Sequence, residues 1–146
     1  MLQPIKKLFN WKIQKKSIYQ ILGGNESVKL LVENFYKKME TDPLAHDCLK
    51  THPLVENKVP DDVKEKLFMF LSGWFGGPNL FIENFGHPRM RQRHMHIQIS
   101  EKEKMQWLYC MEFALNQHRP KIRNKDYHSI INSFMALAQR IQNSDS

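Results

Sequence analysis

Between Phe85 and His96 the chain reads Phe-Gly-His-Pro-Arg-Met-Arg-Gln-Arg-His-Met-His, so Arg89, Arg91 and Arg93 alternate with other residues and end on His94. An imidazole is the commonest metal ligand, and a guanidinium offers a planar fork of donors to carboxylates. Side by side they suit a ligand that carries both a metal and an anionic group. His96 is a competing imidazole two residues further on. His46, Cys48 and His52 also fall within seven residues, but the four-ligand set and spacing of a zinc site are missing. Two further side chains carry polar chemistry on apolar stripes. Tyr36 brings a hydroxyl that is ordinarily just satisfied in a core, and Trp107 an indole N–H that can only donate.

The elements that must hold these groups are helical. Tyr19 to Gly24 closes a first helical piece, with the glycine pair ending it and Asn25 read as the cap of the next. Val28, Leu31, Val32, Phe35, Tyr36 and Met39 then repeat at three- and four-residue spacing, one buried helix face that Asp42-Pro43 ends. Pro43, Pro53 and Pro60 forbid one long helix over residues 43 to 60. Asp61-Asp62 suits a helix amino end, and Val63, Leu67, Phe70, Leu71 and Trp74 mark its apolar face, stopped by Gly76-Gly77-Pro78. Gly86 and Pro88 leave His94 on about two helical turns at most. Ser100 and Glu103 form a capping box before a helix on which Trp107, Met111, Ala114 and Leu115 share a face. Pro120 closes that region. Tyr127, Ile130, Ile131, Phe134, Leu137, Ala138 and Ile141 give a last amphipathic helix, read as core alone, before a polar tail.

At 146 residues and 41% hydrophobic content this is one domain able to bury its own core. No apolar run approaches a membrane span and the start does not read as a secretory signal, so the expected location is the cytoplasm. The formal charge of +7 is concentrated at the front: Lys6, Lys7, Lys12, Lys15 and Lys16 precede the first acidic residue, Glu26. Interleaved with Ile5, Leu8, Phe9, Trp11 and Ile13, they read as a solvated extension over residues 1–17 that packs partly on the domain. An anionic surface or partner is the other reading.

The segment Gly86 to His94 resembles the proximal stretch of the group II truncated haemoglobins, and three more segments match in order: Phe35-Tyr36, Phe70 to Pro78 (FLSGWFGGP), and Trp107 to Met111 (WLYCM). The resemblance covers residues 19 to 118. It implies an all-α truncated globin over 18–146, a two-over-two helical sandwich around haem b. With no Cys-x-x-Cys-His, the haem is expected to be non-covalent. It further implies that His94 is the proximal iron ligand, with a backbone carbonyl accepting from its other ring nitrogen. Arg93 and, more weakly, Lys66 would meet the haem propionates. Leu67, Phe70, Leu71, Met90 and Met111 would contact the ring, and Tyr36, Trp107, His52, Phe35 and Val63 would surround the gas ligand. His46 reads as a surface residue and both cysteines as buried and inert.

There are departures from the family pattern. Phe81 stands where many relatives carry a tyrosine that reaches a propionate, and His96-Ile97 replace a frequent proline and phenylalanine. Val63 is apolar where many globins have a gating histidine, so polar stabilisation of a ligand falls to Tyr36, Trp107 and His52. The function implied is reversible binding of oxygen, NO or CO. The alternative is a haem enzyme that oxidises nitric oxide or reduces peroxide with electrons from a reductase. A remoter alternative is a basic nucleic-acid-binding module built on Arg89, Arg91, Arg93 and the lysine leader.

Overall fold

Ser17 accepts from Gln20 N while the Gln20 side chain accepts from Ser17 N, and this reciprocal cap opens α1 (Ile18–Leu22). Gly23, at φ 115°, ends it in the left-handed conformation that favours glycine. The computed structural model describes residues 16–145, so the lysine leader before Lys16 lies outside the described residues. The expected stripe of α2 (Asn25–Thr41) is buried throughout. Its cap, however, is Gly24 rather than Asn25. Gly24 takes φ 83° and ψ −155° to turn the chain and its carbonyl accepts from Val28 N, while Asn25 is already helical and donates to Glu26.

Asp42 terminates α2 and its carboxylate accepts from Leu44 N at 2.9 Å. The proline-punctuated interval that follows holds only a 3-10 turn (Pro43–Ala45) and α3 (His46–Leu49). α4 (Asp61–Trp74) begins with two acidic residues at its positive end, and the glycines after it limit the next interval to α5 (Leu80–Phe85) and α6 (Met90–His94). Both halves of the Ser100–Glu103 capping box are present at the start of α7 (Glu101–Asn116). That helix ends before Pro120, which sits instead in a 3-10 turn (Arg119–Lys121) leading to α8 (Asn124–Ile141).

α2 packs on α4, α7 packs on α8, and α2 makes its most extensive contact with α7. These two pairs form the two-over-two sandwich. Aromatic edges fasten them together: Phe134 of α8 lies 5.8 Å from Phe75 and 5.7 Å from Trp107, and Trp107 lies 5.3 Å from Phe35 of α2. Phe35 in turn meets Tyr36 at 4.9 Å, and Tyr36 meets His52 at 5.7 Å. Among the described residues no helix is long and apolar enough to cross a membrane.

The end of α4 is locked to α1 through Tyr19, whose N–H donates to Phe75 O at 2.9 Å and whose ring lies flat against Gly77. A Cβ on Gly77 would lie within 2.7 Å of three atoms of that ring. Gly77→Ala is therefore expected to lower the unfolding free energy by about 1–3 kcal/mol, the usual cost of overpacking, as measured by denaturant titration of the full chain.

Candidate functional site

The two helix pairs and the short α5–α6 interval enclose a cavity of about 420 Å³. Tyr36 reaches it from α2; Cys48, Thr51, His52 and Pro53 from the connection after α2; and Val63, Lys66, Leu67 and Phe70 from α4. Phe81, Met90, Arg93 and His94 come from α5 and α6, His96, Ile97 and Ile99 from the following loop, Glu103, Lys104 and Trp107 from α7, and Ala138 and Ile141 from α8. Three residues expected to face the bound group do not line this space. Phe35, Leu71 and Met111 are instead fully buried members of the hydrophobic core, Phe35 against the Trp107 ring. Ala138 and Ile141 are the converse: periodicity gives their stripe as core alone, yet its end forms cavity wall.

α6 is entered through Arg89, whose left-handed φ of 44° and ψ of 54° are costly for a residue with a Cβ, on the order of 1 kcal/mol. One turn later His94 Nδ1 lies 2.6 Å from the Met90 carbonyl. A carbonyl can only accept, so Nδ1 carries the proton and Nε2 keeps the lone pair that binds metals. His94 is half-buried, whereas His96 is exposed.

His52 is fixed in the same way, with Nδ1 3.0 Å from the Cys48 carbonyl. Burial lowers its pKa, so it is neutral at pH 7, with Nε2 as acceptor only. Cys48 is itself held from α7: its N–H donates to Gln106 Oε1 at 2.8 Å, and Gln106 Nε2 donates to Asp47 at 3.0 Å.

Burial, with Cys48 and Glu40 nearby, pushes the Tyr36 phenol well above its ordinary value and keeps it a donor. Neither the Tyr36 hydroxyl nor Trp107 Nε1 has a hydrogen-bond partner among the described residues. Burial also raises both thiols, Cys110 to about 12 and Cys48 further. Neither is a thiolate at neutral pH.

The arginines divide. Arg93 donates to the carbonyls of Pro88 and Phe85 and stacks 4.9 Å over the Phe81 ring, and the rest of its donor fork remains at the cavity mouth. Lys66 is exposed at the same mouth with its Nζ 5.4 Å from the centre of the Phe85 ring. Arg91 turns the other way, to carbonyls at the end of α8. His46 is exposed, and no group of three or more metal-ligating side chains exists among the described residues.

A mostly apolar slot with two imidazoles that keep Nε2 free, His94 and His52, two unpaired donors and cations at its open edge fits a flat, anionic-rimmed metallocycle. The residues present thus suit haem. Sandwich and slot together define a two-over-two globin. The family profile described as bacterial-like globin matches residues 17–143. Among solved structures the chain is similar to a cold-adapted truncated haemoglobin of Pseudoalteromonas haloplanktis TAC125, at 36% identity and a TM-score of 0.79, over 88% of this chain and 99% of that one. It is also similar to the group II 2-on-2 haemoglobin of Agrobacterium tumefaciens, at 31% identity and a TM-score of 0.78, over 89% and 96% of the two chains. The group 2 truncated haemoglobin YjbI of Bacillus subtilis is 33% identical over 96 residues, a match that spans 64% of this chain and 65% of that protein. The chain belongs to the bacterial-like globins, as a group II truncated haemoglobin, and is thereby a haem-binding protein.

Because folding depresses the pKa of His52 below the ordinary 6.5, its contribution to stability is complete above that pH and is lost as pH falls through the depressed value. In the haem-free protein, His52→Phe is expected to flatten the fall in unfolding free energy between about pH 7 and about pH 5, read by denaturant titration at each pH.

Proposed function

We propose that this chain holds haem b non-covalently through His94 Nε2 and reversibly binds a diatomic gas, oxygen foremost. The observation that carries the proposal is the 2.6 Å contact from His94 Nδ1 to the Met90 carbonyl, which leaves Nε2 as the lone pair of a cavity-lining ring. Haem supplies the iron centre at which the gas is taken up. Arg93 and Lys66 offer charge-assisted donors to the propionates at the mouth. Val63, Leu67 and Phe70 line an apolar wall that excludes water. The Tyr36 hydroxyl and Trp107 indole N–H are donors with nothing else to bond, so they turn to a polar ligand entering that space. Phe35 holds both rings from behind without touching the cavity.

Two donors favour retention of oxygen over delivery, which supports a second reading, nitric oxide oxidation or peroxide reduction fed by a reductase. The acceptor-only His52 beside the donors favours it, since a neutral imidazole can take up a proton during turnover. Sustained consumption of nitric oxide or peroxide in the presence of a reductant separates this reading from equilibrium binding.

The test is the visible spectrum of the full chain after haem addition, reduction and carbon monoxide exposure, beside His94→Ala. A globin-like carbon monoxide complex that the variant loses or alters is expected; a wild type that takes up no haem removes the proposal. For the distal donors, Tyr36→Phe and Trp107→Phe are each expected to speed oxygen release about tenfold, the ratio for one hydrogen bond of about 1.4 kcal/mol. Unchanged release in both, measured by stopped flow, removes the donor assignment.

A further inference from the structure

The segment after α8 folds back over the loop that follows His94. Asn143 Nδ2 donates to the carbonyls of His94 at 3.1 Å and Ile97 at 2.8 Å, while its Oδ1 accepts from Ile99 N at 2.9 Å. The backbone closes the same contact, with Asn143 N and Ser144 N donating to Ile99 O at 3.0 and 3.1 Å. From within α6, Arg91 donates to the carbonyls of Arg140 and Gln142, both at 3.0 Å.

These bonds matter because α6 has few other ties: Arg93 to the Pro88 and Phe85 carbonyls, and Met90 against the core. The helix is five residues long and has no buried residue of its own. A helix that short has no independent stability, and its terminal carbonyls need outside donors. His94 O receives one from Ile97 N at 3.1 Å and the other from Asn143. The His94 ring is tied to Met90 within α6, so Nε2 moves wherever α6 moves.

We propose that Asn143 is the positioning residue for His94, acting through the His94 and Ile97 carbonyls to fix where α6 presents its imidazole. This rests on the haem-binding reading above. The segment reading Gln-Asn-Ser-Asp at the end of the chain is thus part of the proximal site, with Arg91 as its second tie.

The experiment compares the full-length wild type with Asn143→Ala and Asn143→Asp. Aspartate keeps the acceptor for Ile99 N and loses both donations, so it also carries the test if the alanine variant does not fold. The readouts are the iron–histidine stretching band of the ferrous, gas-free protein and the rate of haem transfer to excess apomyoglobin. Both variants are expected to take up haem, with a band shifted and broadened from wild type and transfer faster by about tenfold, the ratio for one or two hydrogen bonds. A mere loss of global stability lowers the unfolding midpoint and leaves the band in place. Variants with the wild-type band therefore overturn the proposal while leaving haem binding intact, whereas a wild type that takes up no haem overturns both together.

Discussion

The hydrogen bond from His94 to the Met90 carbonyl, 2.6 Å long, is the constraint on which the rest of the site depends. It determines which ring nitrogen keeps its lone pair and prevents the ring from turning. It also suits the helical turn those five residues form, in which residue i's carbonyl lies beside the side chain of residue i+4. Gly86 and Pro88 isolate that turn, and the left-handed Arg89 sets its entry. The framework of long helices then has one task at this end of the molecule, to provide surfaces against which a very short helix can be secured.

On the opposite side of the cavity the same logic is carried by packing. Trp107 is gripped between Phe35 and Phe134, so an α7 side chain is fixed by rings from α2 and α8 at once. Tyr36 lies between Phe35 and His52, and His52 is oriented by the carbonyl of Cys48, a residue whose N–H donates to Gln106 of α7. The proline-rich connection after α2 has no long helix of its own. It is ordered by bonds to its neighbours, including Val59 N donating to Glu40 at 2.8 Å.

Much of this was legible in the sequence, and the reasons are local. Periodicity exposes a buried stripe such as Val28 to Met39, and prolines and glycines mark where helices must stop. A capping box such as Ser100–Glu103 is a short-range chemical pattern. The four ordered segments of the group II resemblance contain Tyr36, Phe70, Met90, Arg93, His94 and Trp107 of the cavity wall. What was not legible is the part set by packing between elements. Periodicity places Leu71 and Met111 on apolar faces but does not say that those faces turn to the core rather than to the cavity. It also gives no sign that Ala138 and Ile141 reach the slot. Asn143 had no signal at all, because an asparagine in a polar tail reads as solvated until its distant partners, the carbonyls of His94 and Ile97, are brought to it.

The four-residue step from Met90 to His94 also sets a rule for how such a chain can change length over evolution. The Gly86-His87 turn lies outside that four-residue step, so gaining or losing a residue there leaves the ring's tether to Met90 in place. A single insertion or deletion between Met90 and His94 turns the histidine by about 100° around its helix and removes the carbonyl partner. Length variation among descendants of this sequence should therefore accumulate before Arg89 and be excluded from the turn that follows it.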